Sequence, residues 1–382
     1  MTDSDIGQLV RERSIIVCCG SGGAGKTTTS AAIAMAGAMA GRKACVVTID
    51  PARRLADALG IQSLSNEPRR IPGPWTGEMS AVMLDAKSTF DDLVERYSED
   101  QAQAERILSN RLYRNLTSAL SGTQEYMAAE KLYELHESGL FDIVVVDTPP
   151  TRNALDFLDA AGRLMRFLEN RVFRLLLMPT RASLRALTFA TQALLRTISK
   201  VAGAEIVEDA VAFFRAFEGM EDGFRERARR VEQLLADPGT AFVLVAAPRR
   251  DSVDEAGFFA DRLAKAHQPV AGLVINRLHP DFRAGEAGAG AEMDGGDTAG
   301  AAAGVPAEVD ASGAAAAIAE LRRNLSDLQS VADRERGYIA ALEARVEGTV
   351  VRVPYLEQDV HDLGGLGLVA GYLTSQVLSD GA

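Results

Sequence analysis

The feature that most constrains the fold is a glycine-rich loop near the N-terminus. It reads Gly20-Ser21-Gly22-Gly23-Ala24-Gly25-Lys26-Thr27-Thr28. An apolar run, residues 15–19, precedes the loop, and a stretch of small residues without proline follows it up to residue 40. The loop fits the pattern G-x-x-x-x-G-K-[S/T] in the strand–loop–helix context that the pattern requires. It therefore predicts a loop whose backbone N–H groups surround a phosphate at a helix N-terminus.

The rest of the chain has the periodicity of an α/β protein. Short runs rich in apolar and β-branched residues recur at 14–19, 43–49, 79–84, 141–146, 241–247, 271–275 and 349–353, and helical patterns separate them. Several runs are apolar throughout, as expected of strands that are buried on both faces. We predict an α/β P-loop NTPase fold with a mostly parallel, doubly wound sheet and an inserted helical subdomain.

The sequence divides into five segments. Residues 1–154 form a nucleotide-binding core that contains the loop. Residues 155–238 lack a strand pattern and space their apolar residues three or four positions apart, which predicts the helical subdomain. Residues 239–284 return to core strands, and residues 285–317, mostly Ala, Gly, Asp and Glu, predict a disordered acidic insert. Residues 318–382 predict a long amphipathic helix and the final core strand.

Composition and charge exclude several classes of protein. The chain has 53 acidic and 41 basic residues, a formal charge of -12, so we expect no nucleic-acid partner. No apolar run approaches the roughly 20 residues that span a bilayer, and the first 13 residues lack the apolar core of a signal peptide. We expect a cytoplasmic protein without a transmembrane segment. Cys18, Cys19 and Cys45 form no C-x-x-C pair and are predicted to be buried core residues.

Polar residues beside the strand patterns complete a predicted site for ATP and Mg²⁺. Lys26 would neutralise oxygens of the β- and γ-phosphates, and the Thr27 hydroxyl would bind Mg²⁺. Asp147 ends one strand pattern and is expected to hold Mg²⁺ through water. Asp50 ends another and is a candidate to support the metal through water and to orient or deprotonate the attacking water. A helix N-cap is an equally good interpretation of Asp50, because Pro51 follows it.

Together, these motifs resemble those of the ArsA-type ATPases, which include the arsenite-pump ATPase and the targeting factor for tail-anchored membrane proteins. The glycine-rich loop is similar to the family's deviant Walker A motif. Residues 48–60 resemble its first switch, residues 141–151 its second switch, and residues 122–125 its Pro-Gly-x-x-Glu segment. The resemblance implies a bacterial ATPase of this family, in which Asp50 has the position of the water-activating aspartate.

The resemblance also implies an adenine pocket and a dimer. Asn276-Arg277 and the segment that contains Pro354 look like the family's adenine-recognition segments. The Asn276 amide would then read the adenine edge, and Pro354 would pack on the ring. The expected protein is a nucleotide-driven dimeric switch that acts on a hydrophobic client, a partner protein or a transport process, in the cytoplasm or peripherally at a membrane through a partner.

One departure from the family pattern concerns charge. Ser21 stands where the family usually has a lysine that reaches the partner's phosphates across a homodimer. Because a hydroxyl cannot neutralise developing charge, hydrolysis in isolation is expected to be slow unless another cation substitutes. Arg53 and Arg152 are candidates, and a related ATPase in a heteromeric pair is another. The family's metalloid-binding cysteines and zinc-binding Cys-x-x-Cys pair are missing from this sequence.

Two further functions stay open at this point. One is a slow or non-catalytic nucleotide-binding subunit that regulates a paired ATPase. The other is a partition or division-site ATPase of a neighbouring family. That function is disfavoured because residues 366–382 contain no Lys or Arg with which a helix could bind an anionic surface.

Overall fold

The computed structural model describes residues 6–50, 52–111, 113–114, 123–149, 219–283 and 311–375, together with residues 209, 212, 213 and 216. Its strands are β1 (Ile15–Gly20), β2 (Lys43–Thr48), β3 (Arg69–Ile71), β4 (Glu78–Met83), β5 (Ile143–Asp147), β6 (Thr240–Ala246), β7 (Val270–Leu278) and β8 (Thr349–Pro354). Over these residues they form one eight-stranded sheet with the order β3-β4-β2-β5-β1-β6-β7-β8. β3 pairs antiparallel with β4, and the other neighbours are parallel.

Helices cover both faces of the sheet. They are α1 (Gly7–Glu12), α2 (Lys26–Met39), α3 (Arg54–Ala58), α4 (Ala86–Tyr97), α5 (Gln101–Leu108), α6 (Thr123–Glu137), α7 (Glu221–Ala236), α8 (Arg250–Lys265), α9 (Ala311–Glu343) and α10 (Leu363–Thr374). Two hydrophobic cores result, one under α4, α6, α7 and α8 and the other under α2, α3 and α10. Ile15 and Val17 of β1 belong to the first core and Ile16 to the second, since successive side chains of a strand point to opposite faces. The predicted α/β fold and doubly wound, mostly parallel sheet are confirmed.

All seven predicted strands are present, with ends displaced by at most three residues. The sequence patterns missed β3. Two of its three residues, Arg69 and Arg70, are exposed, so the strand lacks the apolar run or alternation that identifies longer strands.

Two predicted segments are only partly described. Most of the helical subdomain, residues 155–238, lies outside the described residues, although α7 falls within its last part. Residues 284–310 also lie outside them. The predicted boundary of the acidic insert at residue 317 is wrong, because α9 begins at Ala311. Alanine, which dominates residues 311–317, is the residue most favourable to helices.

The three cysteines are core residues, as predicted. All are buried, and burial raises the pKa of the Cys19 and Cys45 thiols to about 12. Among the residues that the structure describes, no cluster of three or more His, Cys, Asp or Glu side chains could hold a metal ion. No helix in the described ranges is long and apolar enough to cross a membrane.

Candidate nucleotide-binding site

The glycine-rich loop connects the end of β1 to the start of α2. Gly20 and Gly25 have φ angles of 151° and 92°, in the region that residues with a side chain avoid. A Cβ atom on Gly20 would lie 2.0 Å from the carbonyl oxygen of Val245, and one on Gly25 would lie 2.1 Å from Nδ2 of Asn276. Both positions therefore require glycine for space as well as for backbone conformation.

Lys26, the first residue of α2, is folded back onto the loop. Its side chain is buried, and Nζ donates hydrogen bonds to the carbonyl oxygens of Gly20 and Ser21, each at 2.9 Å. Burial lowers the pKa of Lys26, and the nearby Asp147 carboxylate opposes that shift. The ammonium group thus lies where it can exchange loop carbonyls for phosphate oxygens.

Asp147 forms the floor of the site with two threonines. Its Oδ2 accepts hydrogen bonds from the hydroxyls of Thr27 at 2.8 Å and Thr48 at 2.9 Å. β2 and β5 position the pair, since Thr48 lies beside Asp147 in the register of the two strands. Burial raises the pKa of Asp147 to about 6. The hydrogen bonds from the two threonines lower this pKa but do not outweigh burial.

The other oxygen of Asp147 provides a test of the predicted metal. Oδ1 is buried and has no hydrogen-bond partner among the described residues. A buried carboxylate oxygen without a donor is costly unless a cation or a water molecule satisfies it. Mg²⁺ prefers oxygen ligands and usually keeps several waters, so Asp147 and the Thr27 hydroxyl fit this ion.

Asp50 lies just beyond β2, with 13% of its side chain exposed. Oδ1 accepts the backbone N–H of Ala52 at 3.0 Å, and Oδ2 lies 3.5 Å from Nη1 of Arg54. Asp50 is not the N-cap of α3, because that cap is Arg53. The carboxylate instead holds the turn before the helix and faces the cleft.

A cleft of about 390 Å³ opens beside these residues, within the usual range for small-molecule sites. Its lining is Gly23, Gly25, Lys26, Thr27, Thr28, Asp50, Arg54, Asp57, Ala58, Thr148, Arg277 and Val360. Sequence patterns did not single out Arg54, Asp57, Ala58, Thr148 or Val360 as site residues, although the first four lie within the two switch segments. Helical spacing alone does not choose Arg54, because Arg53, Ala56 and Asp57 have the same i, i+3, i+4 spacing.

Other predicted residues support the loop without lining the cleft. The Ser21 hydroxyl is buried against the hydroxyl of Ser252 on α8, which also accepts the N–H of Ala247. Asn276 is 9% exposed, and its Nδ2 donates to the carbonyl oxygen of Ala24 at 2.9 Å. Gly20, Gly22 and Ala24 belong to the loop but not to the lining.

The predicted adenine pocket is only partly assembled at the cleft. Arg277 lines the cleft and has a positive φ of 63°, which is unusual for a residue with a side chain. Pro354 ends β8 and is not among the lining residues. The roles of Asn276, Arg277 and Pro354 in adenine binding stay predictions. Gly122 and Arg152 lie outside the described residues.

The loop between β1 and α2 and the carboxylates at the ends of β2 and β5 lie at the edge of the sheet where α/β proteins bind ligands. This arrangement defines the class of α/β P-loop proteins. The family model for the anion-transporting ATPases matches residues 13–288. The chain belongs to that family.

Curated relatives agree with this assignment. ATPase get3 of Schizosaccharomyces japonicus is 27% identical over 260 residues, which cover 68% of this chain and 72% of that protein. ATPase ASNA1 homolog of Cryptosporidium parvum is 28% identical over 260 residues, 68% of this chain and 63% of that protein. ATPase GET3 of Malassezia globosa is 33% identical over a shorter stretch of 143 residues, 37% of this chain and 41% of that protein. Two of these alignments therefore extend over about two thirds of this chain, at sequence identities below 30%.

Proposed function

We propose that this protein binds MgATP in the cleft and hydrolyses it to ADP and phosphate. One observation carries the proposal: the Thr27 and Thr48 hydroxyls converge on the buried carboxylate of Asp147. That carboxylate has a free oxygen beside the glycine-rich loop. A buried acid with this geometry costs stability unless it serves a ligand.

The residues have distinct roles in this reaction. The loop N–H groups and Lys26 bind the phosphates, and the Thr27 hydroxyl and Asp147 hold Mg²⁺, which supplies positive charge to the phosphate oxygens. Asp50 orients a water molecule whose oxygen bonds to the γ-phosphorus. The bond from that phosphorus to the β–γ bridging oxygen breaks, ADP departs with that oxygen, and Asp50 accepts the water proton.

The proposed biological role is a nucleotide-driven dimeric switch. The family is described as anion-transporting, and relatives named ATPase get3 and ATPase ASNA1 homolog align over two thirds of this chain. By the family resemblance, the switch acts on a hydrophobic client, a partner protein or a transport process. It pairs with a second copy or with a related ATPase, in the cytoplasm or at a membrane through that partner.

A second function is a slow or non-catalytic subunit that regulates a paired ATPase. The observation that favours it is the buried, uncharged Ser21 side chain, which is hydrogen-bonded to Ser252. It leaves position 21 without a cation for the transition state.

ATP turnover and nucleotide binding by the purified chain test the proposal together. We expect Lys26→Ala to lose both, and Asp50→Asn to keep binding while turnover falls about 100-fold. Asp254→Asn, which changes an exposed carboxylate on α8 outside the cleft, is the matched control. A wild-type chain that binds ATP but turns over no faster than Asp50→Asn supports the regulatory subunit. A wild-type chain that does not bind ATP contradicts both functions.

Molar mass in solution tests the dimer. Light scattering with ADP, and with ATP bound to the Asp50→Asn variant, should give a monomer mass in ADP and a dimer mass in ATP. An unchanged monomer mass in both would contradict a homodimeric switch and leave pairing with a related ATPase as the alternative.

A further inference from the structure

The cleft is lined by three cationic side chains, Lys26, Arg54 and Arg277. Lys26 donates to the loop carbonyls in this structure and is assigned to the phosphates, whereas the Ser21 side chain is buried and uncharged. A polyphosphate at the loop carries several negative charges, and hydrolysis of its last phosphate needs positive charge at the outer end. Arg54 lies on the cleft wall beside Asp50, where the attacking water is proposed to be held.

The packing of α3 determines which arginine faces the cleft. Arg54, Asp57 and Ala58 line it, while Leu55 and Ala56 are buried in the core. This division follows from helical spacing, since positions i, i+3 and i+4 share a face. Arg53, one residue earlier, is exposed and does not line the cleft. The Arg53 side chain makes no ion pair or hydrogen bond to another residue in the described ranges.

The contact that Arg54 makes in this structure is weak enough to exchange. Its Nη1 lies 3.5 Å from Oδ2 of Asp50, and its side chain is 59% exposed. An ion pair of this length with a largely exposed cation contributes little to stability, whereas a guanidinium binds a phosphate through two parallel hydrogen bonds. Arg54 is also close enough to Lys26 that its positive charge contributes to lowering the Lys26 pKa. The two cations therefore share one region of the cleft.

We propose that Arg54 contacts the terminal phosphate of ATP within the same chain and so supplies the positive charge that Ser21 cannot. In this structure Arg54 is paired with Asp50. When ATP binds, the guanidinium transfers to the γ-phosphate, and Asp50 is released to accept the water proton. This inference rests on the proposed function. It makes Arg54 a catalytic residue that also distinguishes ATP from ADP.

Nucleotide affinity provides the first test, because it does not depend on turnover. Arg54→Ala should weaken ATP binding about tenfold or more, the scale of one charge-assisted hydrogen-bond pair, and leave ADP binding within about twofold. Arg53→Ala, an adjacent arginine off the cleft face, should change neither affinity. Arg54→Lys should recover part of the ATP preference, because it keeps the charge but not the two parallel hydrogen bonds. Equal losses for ATP and ADP, or equal effects of the two alanine variants, would overturn the inference.

Turnover provides the second test. Arg54→Ala should lower kcat at least about 100-fold with saturating ATP, the scale of a lost charge-stabilising group. Arg54→Ala should stay impaired at every protein concentration, because the cation comes from the same chain. A rate that rises with concentration, together with full activity of Arg54→Ala, would assign the cation to a partner chain instead. If wild type binds no ATP, the proposed function fails first; if it binds ATP and Arg54→Ala behaves as wild type, only this inference fails.

Discussion

The floor of the cleft, formed by Thr27, Thr48 and Asp147, is held together by short hydrogen bonds to one buried carboxylate. The rim, formed by Asp50, Arg54, Asp57 and Arg277, contains a long ion pair between partly exposed groups. Burial makes each polar contact of the floor expensive to lose, whereas water screens those of the rim. We infer that the floor fixes the position of a ligand and that this lowers the stability of the fold. The rim can change its contacts when a ligand binds, with almost no loss of stability.

Replacing Asp147 by Asn should have the largest effect on the free energy of unfolding. The variant should become more stable than wild type as the pH rises. The folded pKa of about 6 lies above the ordinary aspartate value of 3.8, so between these values the folded state holds a proton that the unfolded state has lost. Raising the pH through this window therefore destabilises wild type by about 1.4 kcal/mol per unit, and about 3 kcal/mol in all, relative to Asp147→Asn. Urea unfolding of both proteins without nucleotide, from pH 4 to 7, measures this difference in unfolding free energy. A constant difference would contradict the contrast between floor and rim.

Gly25→Ala should have the next largest effect, because it combines backbone strain with a collision. The φ of 92° costs a residue with a side chain roughly 1–2 kcal/mol, and displacing Asn276 breaks its bond to Ala24 at about 1 kcal/mol more. We expect unfolding free energy to fall by about 2–3 kcal/mol and nucleotide affinity to fall with it. Gly139→Ala is the matched control, since Gly139 has a φ of 64° with no atom within 4 Å of its Cβ position. Equal losses in the two variants would show that Asn276 does not brace the loop.

Thr48→Val tests the hydroxyl that links the floor to Asp50. The substitution removes a group that donates to Asp147 at 2.9 Å and accepts the backbone N–H of Asp50 at 3.2 Å, and it keeps the shape of the side chain. We expect a loss of about 1–2 kcal/mol in unfolding free energy, and recovery in Thr48→Ser, which restores the hydroxyl. If Thr48→Ser were as unstable as Thr48→Val, these hydrogen bonds would not be the source of the loss.

Arg54→Ala should have the smallest effect on stability. Its guanidinium is largely exposed and lies 3.5 Å from Asp50, so unfolding free energy should change by no more than about 0.5 kcal/mol, even though ATP affinity falls. Urea unfolding without nucleotide measures this. A loss above about 1 kcal/mol would place Arg54 with the floor and remove the contrast.

The parts of the site that were predictable from sequence are those set by short-range pattern. The order of strand, glycines, Lys26 and Thr27 identifies the loop, and Asp50 and Asp147 follow from their places after buried strands. Sequence position pointed to Arg53 as a substitute cation, whereas Arg54 lines the cleft. The difference depends on the residue at which α3 begins, because that residue determines which side chains face the cleft. Helix ends are the least certain feature of any sequence pattern.

Contacts between distant parts of the chain were not predictable. Ser21 and Ser252 are 231 positions apart, and Asn276 reaches Ala24 across 252 positions. Neither pair can be recognised from a periodic sequence pattern, because both contacts depend on the strand order that places β6 and β7 on one side of β1. The family resemblance drew attention to Asn276 for adenine binding, whereas in this structure its amide supports the loop.

The bracing of the loop by late parts of the chain has a consequence for synthesis. The residues that approach Gly20, Ser21 and Gly25 are Val245, Ser252 and Asn276, so the loop emerges from the ribosome more than 200 residues before its supports. A nascent chain that ends before Asn276 carries the whole motif but lacks the amide that holds its last turn. Nucleotide capture should therefore begin only once β7, which contains Asn276, has joined the sheet, so that shorter products do not compete with longer ones for ATP.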